Sequence, residues 1–156
     1  MSIAKPCSGE VVAFEELGIR DLHDLLRLRC EVFVVEQACA YPDVDGEDPV
    51  ALHLLHRDGS GKLAGYLRIF TPKGGGSHWK IGRVVVDPAF RKAGVARGLM
   101  SQAIEYCRAQ DPGCRIDLQA QVYLRSFYES LGFTAVSNEY LEDGIPHIDM
   151  VNDNLL

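Results

Sequence analysis

Between an apolar strand pattern and an apolar helix pattern, the run Gly82-Arg-Val-Val-Val-Asp-Pro-Ala-Phe-Arg-Lys-Ala-Gly-Val-Ala-Arg-Gly-Leu-Met100 sets a basic pair and a set of small residues. A strand, a tight turn and a helix start in that order make an anion site. Small side chains let a diphosphate approach the backbone, while unpaired N–H groups and the positive end of the helix dipole face it. Arg91, Lys92, Ala93, Gly94, Val95 and Ala96 are therefore the candidate phosphate contacts. Neither common nucleotide signature is present: no Gly-Lys-Ser/Thr follows a glycine loop, and no G-x-G-x-x-G occurs.

A second cluster lies at Gln121-Val-Tyr-Leu-Arg-Ser-Phe-Tyr-Glu-Ser-Leu-Gly-Phe133. Taken alone, Phe127, Tyr128, Leu131 and Phe133 read as the apolar face of a short helix and the strand that it feeds. Taken with the first run, they acquire a second meaning. Arg91-x-x-Gly94-x-Ala96 resembles the R/Q-x-x-G-x-G/A loop with which the GNAT superfamily of N-acetyltransferases holds the pyrophosphate of coenzyme A. The later run resembles that superfamily's N-x-x-A-x-x-x-Y-x-x-x-G-F segment, with Tyr128 at the tyrosine position and with Gln121 and Leu124 departing from the usual Asn and Ala. Arg29-Cys-Glu-Val-Phe-Val-Val-Glu-Gln37, Tyr41-Pro-Asp-Val-Asp-Gly-Glu-Asp48, Ile81-Gly-Arg-Val84 and Glu142-Asp-Gly-Ile-Pro-His-Ile148 are similar to the ElaA-like branch.

The elements that must position these residues alternate along the chain. Val11 to Phe14 reads as a short strand, and the apolar spacing from Arg20 to Val35 suits one or two helices. Ala51–Arg57 and Leu63–Thr71 read as a hairpin across Asp58-Gly-Ser-Gly61. Trp79–Val86 is a strand, Val95–Arg108 a helix stopped by Asp111-Pro-Gly113, Ile116–Ala120 a strand and Leu124–Leu131 a helix. Phe133–Val136 and Ile145–Met150 close as strands. Such alternation predicts an α/β (α+β) fold with a mixed central sheet flanked by helices, which the GNAT resemblance also implies.

Length and charge bound the rest. A chain of 156 residues suits one domain, residues 1–156, and buries about two-thirds of its unfolded surface. Cys7, Cys30, Cys39, Cys107 and Cys114 are odd in number and lack C-x-x-C pairing, which argues for reduced thiols and a cytoplasmic protein. No apolar run approaches the roughly 18 residues of a membrane span, and the stretch after Lys5 is no signal peptide. A net charge of −6 opposes binding to nucleic acid or to an anionic membrane. No metal is expected. Asp43-x-Asp45-Gly46 opens like a calcium loop, but Leu54 would stand at the twelfth position. His53 and His56 would point to opposite faces of a strand.

The resemblance implies an acyl-CoA-dependent N-acetyltransferase that takes acetyl-CoA and a small-molecule or peptide amine. The oligomeric state stays open, a homodimer included. Backbone N–H groups at Val84, Val85 and Val86, together with Gln121, would hold the pantetheine and the thioester carbonyl. Tyr128, with an ordinary pKa near 10, would protonate the leaving thiolate. Glu36 is the base candidate tested first, expected to be partly buried with a raised pKa, with His147 and Asp45 as chemically able alternatives. Glu31, Glu36, Asp43, Asp45, Glu47 and Asp48 stand without an intervening lysine or arginine, so they would favour a cationic acceptor if they line the acceptor side. Two other readings compete: a non-catalytic acyl-CoA sensor or interaction module, which would not need Tyr128, and an acyl-homoserine-lactone-synthase-like enzyme, suggested by Arg29, Val32 and Phe33. Replacing Gly94 by Glu adds bulk and sets a carboxylate against phosphate. Calorimetry should then find CoA binding abolished, and parental affinity in the mutant would refute the loop assignment.

Overall fold

The computed structural model describes residues 9–153, so the N-terminal run from Met1 and the Cys7 thiol lie outside the described residues. β3 (Leu63–Phe70) is buried along nearly its whole length, and its alternate residues feed two different cores. Leu67 and Ile69 pack with Leu99, Met100 and Ala103 of α2 (Val95–Gln110), whereas Tyr66 packs with Leu25 and Leu28 of α1 (Ile19–Arg29). Gly65 lets α2 lie close against the sheet, because a Cβ there would come within 2.7 Å of Leu99 Cδ1 and 2.8 Å of Val95 Cγ1.

The remaining strands are β1 (Val11–Ala13), β2 (Leu52–Arg57), β4 (His78–Val86), β5 (Arg115–Gln121), β6 (Thr134–Ala135), β7 (Tyr140–Glu142) and β8 (Ile145–Asn152). They form one sheet of eight strands in the order β1-β2-β3-β4-β5-β8-β6, with β7 on β8. The mixed, helix-flanked sheet expected from the alternation is present. All pairs are antiparallel except β4–β5. That parallel pair is joined only at His78, Trp79 and Lys80, opposite Arg115, Ile116 and Asp117. Beyond those residues the two strands part. The β3–β4 register also slips between Tyr66 and Arg68, where Arg83, at φ 52°, forms part of a bulge in β4.

Three elements differ from expectation. α1 does not end or restart but widens into a π-helix over Cys30–Glu36. The helix containing Tyr128, α3, is short, Arg125–Glu129, because a 3₁₀ turn over Val122–Leu124 precedes it. β7 has no counterpart in the sequence reading: it is a brief edge strand with exposed Leu141 and Glu142. Its turn was legible, since Asp143 and Gly144 both take positive φ, the Asp-Gly signature of a two-residue hairpin.

The acidic stretch beside the π-helix folds into a cluster balanced in charge. Fully buried Arg29 donates from Nε to Asp43 Oδ2 at 2.9 Å and from Nη1 to Asp48 Oδ1 at 2.8 Å. Arg68 donates to Asp48 Oδ1 at 2.8 Å and to Asp45 Oδ2 at 2.6 Å. Arg83 Nε lies 3.0 Å from Asp43 Oδ1. Glu31 pairs with Arg27 at 2.8 Å. The run is therefore not a free acidic lip: apart from Glu47, each of its carboxylates meets an arginine from outside the run, and the expected pull on a cationic acceptor has no such source. Buried His53 is likewise satisfied, with Nε2 2.9 Å from the Asp48 carbonyl oxygen and Nδ1 2.7 Å from the Tyr66 hydroxyl. The carbonyl can only accept, so Nε2 carries the proton and Tyr66 donates to Nδ1.

Hydrogen bonds from Arg68 hold Asp45 far below the usual carboxylate range. Burial alone would raise Asp48, but the hydrogen bonds and charge of Arg29 and Arg68 outweigh it and leave it lowered. A carboxylate whose folded pKa is depressed contributes stability above its unfolded pKa of about 3.9 and loses it as pH falls below that value. Asp48→Asn leaves Arg29 and Arg68 short of a counter-charge, so denaturant unfolding near neutral pH should report a loss of about 3–5 kcal/mol. The loss relative to the parent should shrink as the pH falls below about 4.

Candidate active site

After β4, Asp87 caps a turn over Pro88–Phe90 by accepting from the Ala89 N–H at 2.8 Å. The chain then passes through Lys92 at φ 66° and Gly94 at φ 79° before entering α2. Left-handed residues in such a turn swing successive N–H groups to one side, a concave geometry of the kind that can hold an anion. Gly94 is not crowded, since no atom lies within 4 Å of where its Cβ would be. Backbone conformation requires glycine there, and the empty space leaves room for a ligand. The first helical hydrogen bond of α2 runs from Gly98 N to Gly94 O, leaving the N–H groups of Val95, Ala96 and Arg97 without an intrahelical acceptor.

Those groups border a cleft of about 300 Å³ lined by Val86, Phe90, Arg91, Lys92, Gly94, Val95, Ala96, Arg97 and Phe127. The sequence reading gave Arg97 no role. Its guanidinium lies 5.5 Å from the centre of the Phe127 ring and donates to Ser130 Oγ at 2.8 Å. A cation in the first turn of a helix opposes the dipole, and that was the available signal that an anion belongs nearby. Val84, Val85 and Val86 follow the parting of β4 from β5, so the β4 edge that faces β5 has no ladder there. The Val85 side chain turns into the α1 core.

Tyr128 sits on α3 beside the cleft, 6% exposed, with Phe127 and Phe133 edge-on at 5.1 and 6.0 Å. Its hydroxyl has no hydrogen-bond partner among the described residues. Burial pushes its pKa well above the ordinary tyrosine value, so it stays protonated near neutral pH.

Glu36 departs from expectation. It is exposed, and its carboxylate grips the Arg91 guanidinium with two hydrogen bonds, one of 2.9 Å from Nη1. Hydrogen bonding from Arg91 lowers its pKa, whereas a base working near neutrality needs a raised one. The cause is tertiary: the π-helix aims Glu36 at a loop 55 residues away. Asp45 is excluded as a base in the same way by Arg68.

Gln121 ends β5 on the face of the sheet away from α2. Its amide exchanges hydrogen bonds with that of Gln37, both at 3.2 Å. Nearby, Cys39 Sγ donates to the Asp143 carbonyl at 3.4 Å. These two tethers carry the segment after the π-helix across to β5 and to the β7–β8 turn. The parted strands therefore have a turn with free backbone N–H groups on one face and a polar wall on the other. Cys30, Cys39, Cys107 and Cys114 are free thiols, and no group of metal-ligating side chains occurs among the described residues. No helix among them is long and apolar enough to cross a membrane.

Comparison with known proteins agrees with this geometry. Residues 23–153 match the family model of the acetyltransferase (GNAT) domain. The UPF0039 protein C11D3.02c of Schizosaccharomyces pombe is 44% identical over 138 residues, 88% of this chain and 91% of that protein. Protein ElaA of Escherichia coli is 42% identical over 140 residues, again 88% and 91%, and its crystal structure superposes with a TM-score of 0.86 over 93% of this chain and 98% of that one. An acyl-CoA N-acyltransferase from Pseudomonas aeruginosa superposes with the same TM-score, 0.86, at 38% identity over 93% of this chain and 99% of that one. Loop, parted strands and the Tyr128 segment thus occur in their expected order within a chain that belongs to the GNAT acetyltransferase family, among its ElaA-like members.

Proposed function

We propose that the protein transfers an acetyl group from acetyl-CoA to a primary amine by direct attack in a ternary complex. Three observations support this reading: the left-handed turn into α2, the edge of β4 that has no ladder to β5 beyond Lys80, and the Tyr128 hydroxyl without a hydrogen-bond partner among the described residues. The nest and the α2 N-terminus, from Arg91 to Ala96, would take the pyrophosphate, with Lys92 and Arg97 adding charge. Pantetheine would run along Val84–Val86 as an extra strand, satisfying backbone groups that β5 has left. A backbone N–H there would polarise the thioester carbonyl, as donors in an oxyanion hole do. Gln121 borders the same opening from β5.

The amine nitrogen attacks the carbonyl carbon, the C–N bond forms and the C–S bond breaks. The departing thiolate takes the Tyr128 proton, which the raised pKa has kept in place. Free thiols in the fold suit a reducing, cytoplasmic setting.

Tyr128→Phe preserves ring packing and removes only the donor. Calorimetry should find CoA affinity retained, while turnover, followed as CoA release, falls by about 10²–10⁴-fold. Undiminished turnover would remove Tyr128 from the chemistry. Glu36→Gln provides the contrast. It frees Arg91 without taking a proton acceptor from the reaction, so steady-state kinetics should show a loss far short of the about 10²–10⁴-fold that removal of a general base brings.

A further inference from the structure

With Glu36 and Asp45 both held by arginines, acetyl transfer still requires a group that takes the proton of an ammonium acceptor. The wall opposite the cofactor loop contains one with a free lone pair. His147 pairs directly with Gln121, the last residue of β5, on the adjacent strand β8. Their neighbours in the register, Ala120 and Ile148, point into the core beneath α2. His147 and Gln121 therefore project from the other face, at the end of β5 where its separation from β4 is already established.

We propose that His147 is the general base that deprotonates the acceptor amine, which enters against the β7–β8 hairpin. This inference rests on the acetyl-transfer reading above. His147 Nδ1 lies 2.7 Å from the Ile145 carbonyl oxygen. That oxygen can only accept, so Nδ1 carries the hydrogen and neutral His147 presents the Nε2 lone pair. No hydrogen bond occupies Nε2 among the described residues. Its nearest charge is Glu142 Oε2 at 3.8 Å, too far to take the lone pair but placed to stabilise the imidazolium once it forms. The side chain is 13% exposed, which shields it from bulk water and leaves one edge reachable.

The imidazole is also held in orientation. The Tyr140 ring stacks on it at 6.1 Å and 24°. The Tyr140 hydroxyl in turn donates to Asp149 Oδ1 at 2.5 Å and accepts from Gln119 Nε2 at 3.1 Å. Tyr140 is thus a positioning residue, and Tyr140, Asp149 and Glu142 are the titratable groups around the ring. An ammonium acceptor gives one proton to Nε2, and the freed pair attacks the thioester carbon. As the thiolate leaves with the Tyr128 proton, the new amide nitrogen sheds a second proton, which restores Tyr128. The imidazolium releases its proton to solvent, leaving one N-acetyl product, one CoA thiol and one free proton.

The test uses the full chain with acetyl-CoA and two probe acceptors: n-butylamine, an ammonium ion at neutral pH, and hydroxylamine, a free base there. His147→Gln should retain CoA affinity by calorimetry, which also reports an intact fold. Its kcat/KM for n-butylamine should fall by about 10²–10⁴-fold and for hydroxylamine by much less. His147→Ala should regain n-butylamine turnover when imidazole is added, a response that a purely structural histidine would not give. Equal losses for both acceptors with no imidazole rescue would overturn the assignment, as would undiminished n-butylamine turnover in His147→Gln. A parent inactive toward both probes would instead overturn the acetyl-transfer reading, and the base with it.

Discussion

β4 and β5 share a ladder at only three positions and then separate, and the candidate site depends on that short pairing. A central sheet ordinarily pairs its backbone groups throughout, because buried N–H and C=O groups without partners are costly. Here the bulge at Arg83 bends β4 while Gly65 lets α2 lie close against β3, so the second half of β4 runs beside an opening. An extended ligand that brings its own amides is the natural complement of such an edge. The turn into α2 leaves the N–H groups of Val95, Ala96 and Arg97 without intrahelical acceptors, and Phe127, next to Tyr128 on α3, lines the cleft there.

Holding a sheet open in its middle requires stiffness at its margins. On the α1 side, the Arg29, Arg68 and Arg83 guanidiniums and the Asp43, Asp45 and Asp48 carboxylates knit the loop before β2 onto β3 and β4. Buried ion pairs of this kind add little net stability compared with apolar packing, but losing one partner is costly. The cluster fixes where the π-helix ends, and with it the positions of Glu36 and Gln37. Glu36 then reaches Arg91 in the turn before α2, and Gln37 reaches the end of β5.

The far wall is built from weaker local pieces. A two-residue Asp-Gly turn folds β7 onto β8, which stacks Tyr140 on His147 and lets the Tyr140 hydroxyl reach Asp149 and Gln119. The carbonyl of Ile145, two residues before His147, fixes the imidazole tautomer. The two faces of the opening therefore differ in kind: backbone donors on one and titratable side chains on the other. That division is what the proposed transfer from acetyl-CoA to an amine would need.

The turn from β4 into α2, the short helix containing Tyr128 and the order of most strands and helices were legible in the sequence. Each is a local feature in which residue type dictates backbone geometry within a few positions, as Gly94 does at φ 79°. The meaning of the charged residues was not legible. Glu36, Asp43, Asp45 and Asp48 look alike along the chain, and their partners Arg91, Arg83 and Arg68 lie 20 to 55 residues away. Only the fold decides whether a carboxylate faces an arginine, water or a substrate, because its proton affinity depends on neighbours through space and not along the chain. His147 follows the same rule: the sequence offered it as one able base among several, and only the fold set it opposite Gln121 beside the parted strands.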